Sequence, residues 1–234
     1  VDSRTMKKYL FIVFLFGYWG CKETPFLSYE IQLSDNNSED TPLIILMHGY
    51  GGNAKSYSQK GNFNSDINVV YLDAPYSMDS LSGRNKWYDF KIENGDTTSD
   101  QTQIKESVQL ILKTLNKIIK EKQIRSKHVF IGGHSQGGII SYKIALDHPE
   151  FFKGFIISSG RLPVEYEVKN NFSNYQNKKV LIIHGKNDNV LDLKYSSAGK
   201  KLMEKLGMET QYNIKDRGHG LAPDFYEIVE NWLP

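Results

Sequence analysis

Short apolar runs alternate with longer amphipathic stretches from about Ser28 to the C-terminus. Five of the runs are nearly continuous in apolar residues and end in glycine, proline or polar residues: PLIILMHG, NVVYLDAP, HVFIGGHS, FKGFIISSG and KVLIIHG. Such runs are typical of strands that are buried on both faces of a parallel sheet. The stretch SYEIQLSD instead alternates apolar and polar residues, and this period of two predicts an edge strand.

The amphipathic stretches between these runs predict helices. Over residues 99–123, apolar side chains recur at helical spacing, opposite lysines and glutamates, at Ile104, Val108, Ile111, Leu115 and Ile118. GGIISYKIALDHPEF predicts a helix that ends before Pro149, LKYSSAGKKLMEKLG one that Gly207 caps, and PDFYEIVENWL a final helix. This order predicts an α/β fold, a mostly parallel, doubly wound sheet flanked by helices on both faces. In that architecture ligands bind at the carboxyl ends of the strands.

The N-terminal segment has a different pattern. Two lysines precede a mostly apolar run over residues 9–20, and Cys21 follows. The run is shorter than the roughly 20 residues of a membrane-spanning helix but has the length of the apolar part of a signal peptide. The Gly-Cys junction resembles the lipobox of bacterial lipoproteins, in which the cysteine is acylated. We expect residues 1–21 to be a signal peptide ending at a lipidated Cys21, or else an anchor that is uncleaved or cut elsewhere; a buried structural thiol is the third alternative for Cys21. Residues 22–234 would then form one domain in a bacterial cell envelope.

Composition narrows the classes of function. The chain has 234 residues, of which 39% are hydrophobic and 24% charged, as is typical of one globular domain. A formal charge of +2 gives no reason to expect a nucleic-acid partner. The single cysteine cannot form an internal disulfide, and no cysteines and histidines have the spacing of a zinc site. We expect no metal and no cofactor, and the oligomeric state stays open.

The segment IGGHSQGG places Ser135 within the pattern GxSxG. It follows the apolar run HVFI and precedes an amphipathic helix, which is the strand-turn-helix context of a nucleophile elbow. The flanking glycines allow a sharp turn and a close approach of neighbouring backbone. Two interpretations remain: Ser135 is a nucleophile, or its hydroxyl only caps the helix that begins after it. Since a serine hydroxyl needs an adjacent base to be a good nucleophile, the rest of the chain must decide.

Three histidines follow Ser135, and one of them is well placed to be that base. In nucleophile-elbow folds the acid and then the histidine follow the serine along the chain. His219 lies between glycines in a loop before the last helix, whereas His148 precedes a proline at a helix end and His184 ends a strand. We predict His219 as the general base.

The acid has three candidates. Asp188 lies in the loop after the strand VLIIHG, Asp192 lies at the entry of the next helix, and Asp216 is close to His219 in sequence. Asp216 could more easily bond the local backbone than reach the imidazole. We predict Asp188, which would hold the imidazole tautomer and stabilise the imidazolium.

An acyl-transfer site also needs hydrogen-bond donors for the oxyanion. One predicted donor is the backbone N–H of Gln136, directly after the serine. The glycine-rich loop MHGYGGN lets the backbone approach a ligand closely, and the N–H of Tyr50 is the second predicted donor. His48 in the same loop is expected to brace it by hydrogen bonds.

With these segments the sequence resembles the phospholipase/carboxylesterase family of α/β-hydrolases, which includes acyl-protein thioesterase-like and bacterial carboxylesterase members. The resemblance extends from about Leu46 to the C-terminus, in LMHGYGGNA, VVYLDAPY, KWYDF, VFIGGHSQGGIISYKIAL, VLIIHGKNDNVL and DRGHGLAPDFYEIVENWL. It implies the α/β-hydrolase fold. By position it implies that the nucleophile, acid, base and two oxyanion donors are Ser135, Asp188, His219, Tyr50 and Gln136.

The resemblance also concerns the substrate pocket. Trp87 in KWYDF matches an aromatic residue near the acyl pocket of the family, or it is a core tryptophan. His134 stands where the family commonly has phenylalanine, and Tyr50 replaces the usual leucine. We therefore expect His134 to shape the pocket and the substrate preference to differ.

The expected protein is a metal-independent serine esterase that cleaves carboxylic esters through an acyl-enzyme. Its substrate would be a small-molecule ester or an acetyl or feruloyl ester of a carbohydrate polymer, and a lipid anchor would make the membrane a partner. Lysophospholipid or thioester hydrolysis is the alternative within the enzyme class. A lipid-anchored binding protein on an inactive hydrolase scaffold is the alternative from another class.

Overall fold

A computed structural model describes residues 25–79, 81–94, 96–168 and 171–234. The segment that contains the expected signal peptide and Cys21 lies outside the described residues. Lipidation and the division of the chain at residue 21 therefore stay predictions.

Within the described residues, the secondary structure begins with a strand and ends with a helix. The described strands, in chain order, are β1 (Tyr29–Gln32), β2 (Leu43–Met47), β3 (Asn68–Leu72), β4 (Tyr76–Ser77), β5 (Asn85–Lys86), β6 (Phe90–Glu93), β7 (Asp96–Ser99), β8 (Val129–His134), β9 (Gly154–Ser158), β10 (Lys179–Gly185) and β11 (Glu209–Lys215). The described α-helices are α1 (Ala54–Ser58), α2 (Gln101–Glu121), α3 (Gln136–Asp147), α4 (Leu193–Lys205) and α5 (Phe225–Trp232). Short 3₁₀ turns cover Pro149–Phe151 and Phe172–Asn174.

The central sheet has seven strands in the order β1-β3-β2-β8-β9-β10-β11. The pairing of β1 with β3 is antiparallel, and the other pairings in this sheet are parallel. Each of the five apolar runs forms one of these strands, and SYEIQLSD forms the edge strand β1. Every residue of β2, β3 and β9 is buried, because helices shield both sides of the sheet. The predicted α/β fold with a mostly parallel, doubly wound sheet is confirmed.

Helices cover both faces of the sheet. Side chains alternate between the faces along a strand. In β2, Leu43, Ile45 and Met47 pack with the cluster that includes α2, α3 and α4, whereas Ile44 and Leu46 pack with α1 and α5. The five apolar residues at helical spacing in α2 are all buried, and removing such surface from water contributes roughly 25 cal/mol per Å².

Two small antiparallel hairpins, β4–β5 and β6–β7, lie outside the central sheet between β3 and α2 in the chain. The side chains of β6 are all exposed. Because these short strands bury no apolar face, the hydrophobic pattern does not predict them. They matter because β6 and β7 contribute residues to the cavity described below.

Candidate active site

A sharp turn between β8 and α3 carries Ser135. Its backbone has φ 55° and ψ −115°, a conformation that residues other than glycine rarely adopt. The Ser135 N–H donates a hydrogen bond to the carbonyl oxygen of Ser158 at 2.8 Å, and a Cβ atom on Gly137 would overlap the carbonyl oxygen of Met47. The turn therefore packs tightly against the ends of β2 and β9, and this packing is why glycine is needed beside the serine.

The Ser135 hydroxyl does not cap α3. Ser135 occupies the N-cap position, but its side chain makes no capping hydrogen bond. Its Oγ instead lies 2.8 Å from Nε2 of His219. The interpretation of Ser135 as a helix cap only is therefore wrong.

His219 links this serine to a buried carboxylate. Its Nδ1 lies 2.8 Å from Oδ2 of Asp188, while Oδ1 accepts hydrogen bonds from the N–H groups of Val190 and Leu191 at 2.9 and 2.8 Å. Burial acts to raise the pKa of Asp188, but hydrogen bonds from Leu191, His219 and Val190 outweigh burial and lower that pKa below its usual value. An ionised Asp188 favours a proton on Nδ1 of the imidazole and leaves Nε2 able to accept one.

The other two candidate acids have different partners. Asp192 is the N-cap of α4, and its Oδ1 accepts a hydrogen bond from the Lys194 N–H at 2.8 Å. Asp216 accepts a hydrogen bond from Nδ2 of Asn187 at 2.8 Å. Neither carboxylate contacts His219, so the structure joins only Asp188 to the imidazole among the three.

The other two downstream histidines lie away from the Ser135 hydroxyl. His184 is fully buried, and its Nε2 lies 2.7 Å from the carbonyl oxygen of Leu191 and 3.4 Å from Oδ2 of Asp188. It therefore braces the loop that holds the acid. His148 is the C-cap of α3, and its Nδ1 lies 3.9 Å from a carboxylate oxygen of Glu150.

The structure places Tyr50 and Gln136 beside the serine. All three residues line one cavity, and a Cβ atom on Gly49 would lie 3.3 Å from Cβ of Ser135. In the part of the chain that the structure describes, neither the Tyr50 nor the Gln136 backbone N–H donates to a protein acceptor. Two amides without a protein acceptor, in residues that line the cavity with the serine, are candidate donors for an oxyanion.

His48 braces the loop that carries Tyr50, as expected. Its Nδ1 donates to the carbonyl oxygen of Gly49 at 2.7 Å, and its Nε2 accepts from the Ala74 N–H at 3.1 Å. Burial lowers the pKa of His48, so the ring stays neutral, with one nitrogen donating and the other accepting.

The Gln136 side chain has a role that the sequence did not reveal. Its Oε1 accepts from the Trp87 N–H at 2.7 Å, and its Nε2 donates to the Tyr88 carbonyl oxygen at 2.8 Å. These two bonds tie the serine turn to the segment KWYDF. Only a contact between distant segments creates this role, and no local sequence signal indicates it.

Trp87 lies in the core behind the Tyr50 loop. It is fully buried, its Nε1 donates to the His48 carbonyl oxygen at 2.9 Å, and it does not line the cavity. The aromatic residues of KWYDF that do line the cavity are Tyr88 and Phe90. The structure therefore corrects Trp87 from a pocket residue to a core residue.

His134 faces both the cavity and the imidazole. Its Nδ1 lies 3.2 Å from Oγ of Ser158, and its ring centroid lies 5.2 Å from that of His219. Burial, together with the nearby His219, Arg217 and Lys60, lowers the pKa of His134 to about 3. The ring is therefore neutral, packs against the base and forms part of the cavity lining.

The cavity at Ser135 has a volume of about 370 Å³, which is within the range of small-molecule sites. Most of its lining is apolar. The sequence interpretation missed the lining residues Tyr88, Phe90, Ile92, Thr97 and Arg161. Arg161 follows the carboxyl end of β9, where a doubly wound fold places ligand contacts, so this rule could have indicated it.

The described residues include no helix that is both long and apolar enough to cross a membrane. They also include no group of three or more histidine, cysteine or acidic residues that could hold a metal ion.

A parallel sheet with a strained serine turn after β8 and a hydrogen-bonded Ser-His-Asp chain defines an α/β-hydrolase. The model of the Phospholipase/Carboxylesterase family matches residues 30–234. The chain belongs to this family, as the resemblance implied.

Individual proteins resemble the chain at low sequence identity. The acyl-protein thioesterase 1 homolog 1 of Dictyostelium discoideum is 24% identical over 200 residues, which cover 81% of this chain and 88% of that protein. The crystal structure of esterase PE8 has a TM-score of 0.75 and 22% identity, covering 89% of this chain and 98% of that one. The Bacillus cereus carboxylesterase structure has a TM-score of 0.75 and 19% identity, covering 88% and 93%. These structural likenesses show a common fold.

The family and the fold together establish the class of enzyme. The chain is an esterase or thioesterase of the α/β-hydrolase fold. The predicted enzyme class, a carboxylic ester hydrolase, is confirmed at this level.

Proposed function

We propose that the chain is a serine carboxylesterase with Ser135 as nucleophile, His219 as general base and Asp188 as the orienting acid. The observation that carries this proposal is the hydrogen-bonded chain of these three side chains at a cavity large enough for a small ester. The amides of Tyr50 and Gln136 are the proposed oxyanion donors. Family membership supports ester cleavage, while the roles of individual residues rest on the geometry.

The first half of the proposed reaction forms an acyl-enzyme. Oγ of Ser135 attacks the carbonyl carbon of the ester, and its proton moves to Nε2 of His219. The carbonyl oxygen becomes an oxyanion that the N–H groups of Tyr50 and Gln136 stabilise. The bond to the alcohol then breaks, and the alcohol leaves with the proton from His219.

The second half releases the acid. Water attacks the acyl carbonyl carbon while His219 takes its proton, and the carboxylic acid leaves as Ser135 regains a proton. A second cavity of about 340 Å³ shares Gly49, Tyr50 and His134 with the first. The proposed second role of these shared residues is to let one part of a larger ester extend from the first cavity into the second.

Acetyl or feruloyl esters of carbohydrate polymers are the proposed substrates. Tyr50 and Phe90 are exposed at the cavity, with their ring centroids 5.3 Å apart in an edge-to-face arrangement. Exposed aromatic faces can pack against sugar or feruloyl rings, which supports this substrate class.

Thioester hydrolysis is the second candidate. The similarity to the Dictyostelium acyl-protein thioesterase 1 homolog favours it. The same nucleophile, base and oxyanion donors would cleave a thioester, so the geometry at Ser135 does not separate the two. A panel that contains matched oxygen esters and thioesters separates them directly.

The proposal also places the enzyme in a bacterial cell envelope, held by a lipid on Cys21. The apolar run that precedes this cysteine supports export. Replacing the acylated thiol, Cys21→Ser, should release the protein from membranes, and the wild-type mature N-terminus should carry the mass of a lipid. Unchanged membrane association together with a mature N-terminus free of lipid would contradict the anchor.

The central experiment applies a fluorophosphonate probe and a panel of short, long, aromatic and sugar esters to protein that starts just after Cys21. Wild type should be labelled and should hydrolyse part of the panel. Ser135→Ala should lose labelling and roughly 10⁴- to 10⁶-fold in kcat, as is usual when a triad serine is removed. Ser126→Ala is the matched control, since Ser126 lies just before the amino end of β8, the strand that leads to Ser135.

Two outcomes would decide against the mechanism. Equal labelling and turnover by wild type and Ser135→Ala would remove Ser135 as nucleophile. A folded wild type that is neither labelled nor active on any ester or thioester would favour the inactive binding scaffold.

A further inference from the structure

Arg161 brings a positive charge into a mostly apolar cavity. It lies just after β9, whose last residue Ser158 pairs with His134 of β8, so it is at the same sheet edge as Ser135. Its side chain lines the cavity, and the residue is only 9% exposed. Among the described residues that line this cavity, none is an aspartate or a glutamate.

The protein leaves most of this guanidinium unpaired. Nη1 donates to the carbonyl oxygen of Leu162 at 3.0 Å, and the ion pairs of the described residues do not include Arg161. A guanidinium has five N–H donors. The other nitrogens of Arg161 are not among the fully enclosed, unpartnered atoms of the described residues, and the residue lines the cavity.

The charge affects other groups at the cavity. Burial raises the pKa of the Tyr88 hydroxyl to about 12, although the positive charge of Arg161 acts in the opposite direction. A buried charge without an opposite charge is costly. The cost is offset when a ligand supplies an anion, and a planar guanidinium pairs best with a carboxylate through two parallel hydrogen bonds.

We infer that Arg161 selects ester substrates that carry a carboxylate. This inference rests on the proposed function, because it concerns the substrate of the same serine site. The carboxylate belongs either to the acyl part, as in a dicarboxylic acid monoester, or to the alcohol part, as in an ester of a uronic acid unit. Arg161 contacts the substrate and contributes to binding and positioning, while the bond chemistry stays with Ser135.

Two matched substrate pairs test the inference. Monoethyl glutarate and ethyl valerate differ by a carboxylate in place of a terminal methyl group in the acyl part. In the alcohol part, 4-acetoxybenzoate and 4-methylphenyl acetate differ in the same way. For one of the two pairs, Arg161→Gln should lower the ratio of kcat/KM for the anionic ester to that for the neutral ester by about 30-fold or more, as expected when one partner of a desolvated charge pair is lost. Arg161→Lys keeps the positive charge but not the two parallel N–H donors of the guanidinium. Its ratio of kcat/KM values should therefore lie between those of wild type and Arg161→Gln.

The control and the contrary outcomes are specific to Arg161. Arg125→Gln makes the same substitution at an exposed residue outside the cavity and should keep the wild-type ratios. Glutarate should inhibit hydrolysis of ethyl valerate by wild type more strongly than by Arg161→Gln, and labelling by the fluorophosphonate probe checks that each variant folds. If neutral esters are cleaved in a Ser135-dependent way and both ratios are the same in wild type, Arg161→Gln and Arg161→Lys, the inference fails and the proposed function stands. If no ester is cleaved in a Ser135-dependent way, the proposed function itself fails.

Discussion

Two sides of the cavity are built in different ways. The floor, defined as the Ser135 turn with Gln136 and His134 and the Asp188–His219 pair that meets it, is held by the backbones of β2 and β9 and by buried or partly buried side-chain hydrogen bonds. The wall, defined as the β6–β7 hairpin, is an isolated two-stranded sheet, and its Phe90 and Ile92 are 40% and 66% exposed. The floor cannot move without disturbing the packing of the core. Residues of the wall can change without affecting that packing.

This difference separates two kinds of property. Turnover depends on atoms that must be positioned to a fraction of an ångström, and tight packing supplies that precision. Substrate preference depends on the shape of a surface that loops can alter. Substitutions in the floor should therefore change turnover and stability, and those in the wall should change which ester is preferred.

After the loss of the Ser135 hydroxyl itself, the largest expected effect is that of Asp188→Asn at the floor. An amide cannot hold the imidazole of His219 in the tautomer with a proton on Nδ1, so kcat should fall by about 10⁴-fold, with KM changed far less. Steady-state kinetics on the best ester of the panel measures it. Asp216→Asn makes the same change in the carboxylate that bonds Asn187. A larger loss for Asp216→Asn than for Asp188→Asn would assign the acid to Asp216.

Gly137→Ala should have the next largest effect. The added Cβ would overlap the carbonyl oxygen of Met47, so β2 and α3 must separate. We expect a loss of about 1–3 kcal/mol in the free energy of unfolding and of about 100-fold in kcat, because the serine moves relative to its base. Gly220→Ala is the control, since a Cβ there meets no atom within 4 Å. Similar stability and kcat for both variants would show that the turn is not set by this close packing.

The floor could be predicted from the sequence because its signals are local. Apolar runs predict buried strands, GxSxG between a strand and a helix predicts the turn, and the topology brings the carboxyl ends of parallel strands to one edge. Asp188 follows the parallel strand β10, and His219 follows the parallel strand β11. Their meeting with Ser135 then follows from chain order and needs no knowledge of side-chain packing.

The wall and the supporting contacts could not be predicted in this way. The β6–β7 hairpin buries no apolar face, so no period marks it. Of two adjacent aromatic residues, Trp87 points into the core and Tyr88 lines the cavity, and only the tertiary structure decides which one does so. The bonds of the Gln136 side chain likewise depend on a segment 49 residues away.

Ile92→Ala should change substrate preference while leaving the fold intact. Because the side chain lines the cavity yet is 66% exposed, its removal should raise KM for long-chain or aromatic esters by about 3- to 10-fold, with little change for acetyl esters. Ile214→Ala is the matched control, since Ile214 is an exposed isoleucine of β11 outside the cavity. Equal KM changes for short and long esters would show that the hairpin does not act as the wall.

The last expected effect is on stability and concerns His134, a floor residue that also faces the cavity. Its folded-state pKa of about 3 lies below the usual value of about 6.5, so the unfolded chain binds a proton first as the pH falls. The free energy of unfolding of wild type should therefore decrease as the pH falls from about 6.5 to about 3, because the unfolded state takes up this proton. Phenylalanine cannot bind this proton. Between pH 7 and pH 5 the free energy of unfolding of His134→Phe should therefore fall by about 1–2 kcal/mol less than that of wild type, as measured in denaturant titrations.

His134→Gln separates titration from hydrogen bonding, because glutamine can still bond Oγ of Ser158 but does not titrate. Both variants should show the same reduced pH dependence, and they should differ from each other in absolute stability at pH 7 by about 1 kcal/mol, the net value of one hydrogen bond. If both variants keep the full wild-type pH dependence, His134 is not held neutral by the floor. The imidazole of His134 would then be more hydrated than its contacts with Ser158 and His219 indicate.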